Sequence, residues 1–268
     1  RSISRVIWRA MFSDSIGDVA DEERLDRESR GVVAHPGVRR PTADRARVDQ
    51  WSDHDFAVIV EPGAAAHLLG DPSWLPEPTN IAMVMPDSPD GRRVMYSDGR
   101  MLEYAITDLA GLATWFTNEY EVVLDRGGVA QAWADVAARP KPSDNVDPAD
   151  EIRSFLSVLY FGVAMARRGE LIVAGAQVRT WSLAYLLRAW PHRVAAEGAS
   201  RLDSLNEFRR FDFVFPEVAA RIGAALEQDV ESAARSLLEI AETSLAPGWE
   251  GWPTEAVAAI RTRLGWPG

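Results

Sequence analysis

Two aspartates, Asp53 and Asp55, stand two residues apart at the start of the apolar run 56–60, Phe-Ala-Val-Ile-Val. In a β-strand, residues two apart project from the same face, so the two carboxylates would lie close together. Like charges held that close repel each other, and a shared divalent cation explains such an arrangement. The alternative is a water-exposed loop in which Ser52 forms a local turn. Spacing alone leaves both interpretations open.

A third acid, Glu103, lies between Leu102 and Tyr104 in a segment that otherwise has the apolar character of a strand. An acid at such a position can simply face solvent on an edge strand. We expect this strand to lie beside residues 56–60 instead, where Glu103 completes a cluster of three carboxylates. A cluster of this kind around one or two Mg²⁺ ions suits phosphoryl chemistry, because the metal neutralises phosphate charge and can acidify an attacking hydroxyl.

The elements that must position these acids are short strands in the first half of the chain. Compact runs rich in β-branched and apolar residues predict strands at 32–35, 56–60, 81–85, 93–97, 100–106 and 121–125. Asp98-Gly99 predicts a tight two-residue hairpin turn between the fourth and fifth of these, because Asp-Gly readily adopts positive φ. Thr107 or Asp108 is expected to cap a helix that runs to about Phe116.

The chain changes character near residue 140, where the Pro- and Asp-rich segment 139–148 has the composition of a linker. Asp147-Pro148 is typical of a helix start, and apolar residues then recur at helical spacing. Helices are expected from Pro148, from Glu170 to about Trp190, and around 218–226, 230–245 and 257–264. The sequence therefore predicts an α+β protein, with a mixed-sheet domain at 1–140 and a helical-bundle domain at 148–268.

The composition excludes several classes of chemistry and of partner. The 268 residues include no cysteine, which excludes disulfides and thiol catalysis, and the net charge is −11. An acidic surface opposes binding to a nucleic-acid backbone and is compatible with a cationic small molecule, although it can equally serve solubility. The longest apolar run, 155–166, is too short to span a bilayer. We therefore expect a cytoplasmic protein with no nucleic-acid or membrane partner.

Residues 51–106 resemble the nucleotidyltransferase domain of the DNA polymerase beta superfamily, and most of all aminoglycoside 6-adenylyltransferases and lincosamide nucleotidyltransferases. The resemblance is carried by the Ser-Asp-x-Asp strand entry, the segment Leu-Gly-Asp-Pro-Ser-Trp-Leu at 69–75 and the Asp-Gly hairpin with Glu103. Met-Ala-Arg-Arg-Gly-Glu-Leu-Ile at 165–172 and the helix after it are similar to the helical domain of the same enzymes, so the resemblance extends over about residues 50–200. It implies Mg²⁺ and ATP, or another NTP, as cofactors. It also implies metal binding by Asp53 and Asp55, with Glu103 as third ligand or general base, and a small-molecule hydroxyl as the acceptor.

One segment departs from the family pattern. After its first strand the superfamily carries Gly-Ser and then an arginine, whereas this chain reads His-Pro-Gly-Val-Arg-Arg-Pro-Thr at 35–42. Pro36 lacks a backbone N–H and Gly37 lacks the hydroxyl, so two phosphate donors are absent. The remaining expected nucleotide contacts are Gly37, Arg40 and Ser52. The departure favours one alternative, a catalytically weakened nucleotide- or ligand-binding homologue. A nucleotidyltransferase that acts on a protein partner is a second alternative, which the departure does not bear on.

Overall fold

The chain folds as two units of different secondary structure. A computed structural model describes residues 29–34 (backbone only), 54–117 and 120–267. Its contact pattern divides the chain into Arg1–Arg139 and Pro140–Gly268. The described strands all lie in the first unit and form one mixed sheet, whereas the described part of the second unit is helical. The predicted α+β class, with a mixed-sheet domain followed by a helical domain, is confirmed.

The described part of the first unit holds a six-stranded sheet with the order β3-β4-β5-β2-β1-β6. Its strands are β1 (Ser29–Ala34), β2 (His54–Val60), β3 (Ile81–Pro86), β4 (Gly91–Tyr96), β5 (Met101–Thr107) and β6 (Glu121–Asp125). The two central strands, β2 and β5, pair in parallel, and the other neighbours pair antiparallel. Each expected strand is present within three residues of its expected ends, because alternating or fully apolar runs define strands well.

The central strands bury both faces of the sheet. Phe56, Val58 and Val60 of β2 pack into one core with Trp74, Leu75, Tyr96, Leu102, Tyr104 and Ile106. Ala57 and Ile59 pack into a second core with Leu112, Val129, Trp133 and Val136. Because successive strand residues point to opposite faces, this division assigns every residue of β2 and β5 to a face.

In the part of the first unit that the structure describes, the helices are short, and one of them differs from expectation. They are α1 (Ala65–Gly70), α2 (Leu109–Leu112) and α3 (Val129–Ala137). Asp108 caps α2 as expected, accepting a hydrogen bond from the Gly111 N–H at 2.8 Å. The expected continuation to Phe116 is wrong: α2 ends at Leu112, where the Thr114 and Trp115 N–H groups bond three residues back and close a turn. Helix α3 was not expected, although the spacing of Val129, Trp133 and Val136 is helical.

The side chain of Asp125 replaces an ordinary N-cap for α3. Its Oδ1 accepts from the N–H groups of Gly127, Gly128 and Val129, and its Oδ2 accepts from Ala130. These hydrogen bonds, that from Ala130 first, lower the pKa of the Asp125 carboxyl. The strand β6 is thereby joined to α3 through a tight Gly-Gly turn.

The second unit is a bundle of helices around one core. Its helices are α4 (Pro148–Arg167), α5 (Leu171–Ala176), α6 (Leu183–Ala189), α7 (Phe211–Val214), α8 (Pro216–Leu226), α9 (Val230–Leu245) and α10 (Thr254–Leu264). Asp147 caps α4 by accepting from the Ala149 N–H, as the Asp-Pro pair indicates. None of the described helices is long and apolar enough to cross a bilayer.

The helix expected from Glu170 to Trp190 is interrupted by a π-helical segment, Gln177–Ser182, between α5 and α6. Within it, Val178 and Ser182 are buried, and the Ser182 hydroxyl donates to the Val178 carbonyl. Arg179 points to the end of α8, where it donates to the carbonyls of Leu226 and Gln228. The wider turn thus serves packing and the capping of a neighbouring helix, which apolar periodicity does not encode.

Two tyrosines in the first core allow a matched test of buried hydroxyl groups. Tyr96 donates to the Pro76 carbonyl at 2.8 Å. The hydroxyl of Tyr104 is buried and has no hydrogen-bond partner in the part of the chain that the structure describes. Burial raises the pKa of Tyr104 to about 12.

Replacing each tyrosine with phenylalanine removes the same atom from the same core. Tyr96→Phe leaves the Pro76 carbonyl without its donor, so we expect the free energy of unfolding to fall by about 1–2 kcal/mol. Tyr104→Phe removes an unpaired group, so we expect no change or a gain of up to about 1 kcal/mol. Urea titration of both variants measures the difference. Equal losses in the two variants would contradict this account.

Candidate active site

The parallel pairing of β2 with β5 brings two of the candidate acids together. In the register of these strands, Asp55 is directly opposite Glu103. Neighbouring strands are about 4.8 Å apart, so the two side chains start from adjacent positions on one face of the sheet. Strand β5 lies between β4 and β2, and Glu103 is therefore not on an edge strand.

Strand alternation also determines the face on which the two acids lie. Asp55 shares the face of Ala57 and Ile59, and Glu103 shares the face of its direct neighbour Asp55. His54 belongs to the opposite face, with Phe56. Both acids are half-buried and lie near the amino-terminal ends of their strands, before the part of the sheet that the second core covers.

An arginine on the next strand extends this row of charges. Arg93 of β4 is paired with Glu103 in the antiparallel register, and its Nε donates to Glu103 Oε2 at 3.0 Å. Its Nη2 contacts Asp87 Oδ1 at 2.8 Å. The side chains of Arg93, Glu103 and Asp55 therefore form a row across three neighbouring strands. Arg93 and Asp87 were not singled out in the sequence, where an arginine in a hairpin arm is an ordinary exposed residue.

The hairpin turn explains why Arg93 was missed. The expected two-residue turn Asp98-Gly99 would place Val94 opposite Glu103. The structure instead has a three-residue loop, in which the Tyr96 N–H donates to the Arg100 carbonyl and Gly99 has φ +86°. This loop shifts the pairing by one residue, and a shift of one residue exchanges the faces that meet. The expectation of a two-residue turn is thus wrong, and the shift brings Arg93 to Glu103.

The other predicted site residues, Asp53, Ser52, Gly37 and Arg40, lie outside the described residues. Within residues 54–117 and 120–267, no three His, Asp or Glu side chains form a group that could hold a metal ion. The three-carboxylate site therefore stays a prediction that needs Asp53 as its third member.

The chemistry of the two described acids fits Mg²⁺. Mg²⁺ prefers carboxylate oxygens and is usually held by one or two carboxylates together with substrate phosphates. Asp55 and Glu103 supply such oxygens from adjacent strands. Glu103 contacts Arg93 through Oε2, and its Oε1 takes no hydrogen bond or ion pair from the residues that the structure describes. One oxygen of Glu103 thus remains available for a cation.

The segment 69–75, which contributes to the resemblance, supports the sheet beneath the site. Asp71 accepts from the N–H and hydroxyl of Ser73, closing a turn. Trp74 donates to the Leu68 carbonyl and packs edge-on against Phe56 and Tyr104. These aromatic neighbours adjoin Asp55 and Glu103 along their strands. The segment fixes the strands that carry the acids and places no charged group of its own on their face.

Acids of the second unit are held by arginines. Arg188 of α6 forms ion pairs with Glu151 of α4, at 2.8 Å, and with Glu207, at 2.7 Å. Arg167, in the segment 165–172, donates through Nε to Glu231 at 2.9 Å and lowers the pKa of that carboxyl. These contacts connect helices of the bundle, which gives the arginine of that segment a structural role.

Comparison with known proteins adds little to these residues. No protein-family model matches the chain, and none of the curated proteins is a significant match. Among solved structures, the chain is similar to an aminoglycoside 6-adenyltransferase from Bacillus subtilis, with 12% sequence identity and a TM-score of 0.32. The similarity covers 91% of this chain and 87% of that chain. At that identity and TM-score, the case for a function rests on the residues of this chain.

Proposed function

We propose that this protein is an enzyme that transfers a nucleoside monophosphate, AMP in the first instance, from an NTP to a hydroxyl group of a small molecule. The observation that carries the proposal is the direct pairing of Asp55 with Glu103 on parallel neighbouring strands. Two carboxylates in that relation repel each other, and a bound divalent cation offsets this repulsion. The Ser-Asp-x-Asp entry to β2 adds Asp53, which strand alternation predicts on the same face.

The residues have separate roles in this proposal. Asp53 and Asp55 bind Mg²⁺, and Glu103 is either a third ligand or the group that accepts the proton of the attacking hydroxyl. Bound Mg²⁺ supplies neutralisation of phosphate charge and orientation of the triphosphate. Gly37, Arg40 and Ser52 contact the nucleotide. The arrangement then allows the acceptor oxygen to approach the α-phosphate in line with the departing pyrophosphate.

We further propose that residues 148–268 select the acceptor. A net charge of −11 favours a cationic or neutral polyhydroxyl compound over a nucleic acid. Aminoglycosides and lincosamides are of this kind and are the acceptors of the families that the sequence resembles.

Pyrophosphate release tests the proposal. The protein should release pyrophosphate from ATP or another NTP only when Mg²⁺ and a suitable acceptor are both present. Mass spectrometry should show a gain of one nucleotidyl group on that acceptor in a panel of aminoglycosides and lincosamides. Labelling of a protein or of tRNA from the same nucleotide, with every antibiotic unmodified, would contradict the choice of acceptor. If no pyrophosphate is released under any of these conditions, the proposal that the protein is an enzyme is wrong.

A weakened homologue that binds nucleotide without turnover is the second candidate, and Pro36-Gly37 is the observation that favours it. If those residues limit activity, Pro36→Gly combined with Gly37→Ser should improve both nucleotide affinity and pyrophosphate release. If an arginine replaces the missing donors by direct pairing with phosphate, Arg40→Ala should impair the protein far more than the double change improves it. No effect from either variant would mean that this segment is not the phosphate site.

A further inference from the structure

We infer that Arg93 is a positioning residue for the candidate site: its guanidinium, anchored on Asp87, orients the Glu103 carboxylate for the bound metal–nucleotide complex. The inference rests on the proposed function, because it assigns a role to a neighbour of a proposed ligand. It adds a residue that neither the sequence pattern nor the resemblance identifies.

Arg93 contacts two acids, Glu103 and Asp87. Nε donates to Glu103 Oε2 at 3.0 Å, while Nη2 lies 2.8 Å from Asp87 Oδ1. Arg93 and Glu103 are directly paired across β4 and β5, so the contact is perpendicular to the strands and short. The planar guanidinium presents several donors in a fixed fork and can hold both acids at once, whereas a lysine ammonium is a single point charge on a flexible stem.

The engaged oxygen determines which oxygen of Glu103 remains for a ligand. Arg93 contacts Oε2, and Oε1 carries no contact from the described residues. A carboxylate held by one oxygen has a defined plane, so the other oxygen is directed rather than free to rotate. Hydrogen bonds of this kind to a metal-binding carboxylate commonly change metal affinity or activity by about 10- to 100-fold.

The charge balance agrees with this role. Asp55 and Glu103 are paired like charges, and Arg93 supplies a positive charge beside them without lying between them in the strand order. Asp87 in turn pairs with Arg93, so these four side chains together carry one positive and three negative charges. A site of that charge still attracts a divalent cation. The opposite effect of Arg93 would give the opposite result. If Arg93 competed with the cation for Glu103, removing its side chain would tighten metal binding.

The experiment measures binding of the Mn²⁺ complex of a non-hydrolysable ATP analogue, by water-proton relaxation, to the full-length protein. The variants are Arg93→Ala, Arg93→Lys and Asp87→Asn. The matched control is Arg92→Ala, because Arg92 is the adjacent residue of the same strand, faces the other side and donates to the carbonyls of Ser88 and Gly91. Thermal unfolding of each variant separates loss of fold from loss of binding.

We expect Arg93→Ala to weaken binding about 10-fold, with partial recovery in Arg93→Lys and a smaller loss in Asp87→Asn. Arg92→Ala should bind as the parent does. In turnover with an accepted substrate, Arg93→Ala should lower kcat more than it raises KM for the acceptor. Tighter Mn²⁺-nucleotide binding by Arg93→Ala, or equal behaviour of Arg93→Ala and Arg92→Ala, would overturn the inference. If the parent and Glu103→Gln bind the complex equally, the proposed site itself is wrong.

Discussion

Asp55→Asn is expected to lower acceptor-dependent pyrophosphate release at least about 100-fold. In the proposed function Asp55 binds Mg²⁺, and loss of such a carboxylate removes several kcal/mol of stabilisation from a phosphoryl-transfer transition state. Asparagine keeps the size of the side chain and removes its charge. Thermal unfolding of the variant, measured alongside, separates loss of activity from loss of fold. Glu103→Gln should cause a loss of comparable size.

The controls distinguish these acids from the acidic surface. Glu121→Gln is a matched change, because Glu121 is an exposed glutamate on β6 of the same sheet and is paired with β1 instead of β5. It should retain parental activity. Asp53→Asn combined with Asp55→Asn should abolish Mg²⁺-dependent nucleotide binding in calorimetry. If that double variant binds MgATP as tightly as the parent protein, the metal site lies elsewhere.

Gly162→Ala is expected to destabilise the second unit by about 2 kcal/mol, against the usual benefit of alanine in a helix. A Cβ at Gly162 of α4 would stand 2.6 Å from Val178 Cγ2 and 3.0 Å from Gln177 Cβ. Val178 is fully buried in the π-helical segment and has little freedom to rotate. Overpacking is expected to cost about 3 kcal/mol of the free energy of unfolding, and the higher helix propensity of alanine returns about 1 kcal/mol. The difference is the expected loss.

Gly223→Ala is the matched control for that substitution. Gly223 is also inside a helix, α8, and a Cβ there meets nothing within 4 Å in the described structure. We expect this variant to gain up to about 1 kcal/mol. Guanidinium unfolding of both variants should therefore give opposite signs. Equal gains would mean that α4 and the π-helical segment are less closely packed in solution than the structure has them.

Sequence periodicity was sufficient for elements whose burial follows a simple repeat. Helix α9 spans Val230–Leu245 and strand β6 spans Glu121–Asp125, as their apolar spacing indicates. Elements that depend on single contacts were not predicted. The π-helical segment and the early end of α2 are set by local hydrogen bonds and by packing against neighbouring elements, and neither leaves a periodic signal.

For the candidate site, the sequence by itself determined which acids lie at strand ends and which face each shares with its near neighbours, because side-chain alternation is a property of any strand. The expectation that the strand of Glu103 lies beside β2 is confirmed, but only the tertiary structure decided that the two strands are parallel and in the register that brings Asp55 to Glu103. It also decided, through one extra residue in the hairpin loop, that Arg93 and not Val94 meets Glu103. Strand order and register depend on contacts between residues far apart in the chain, and local propensity carries no information about them.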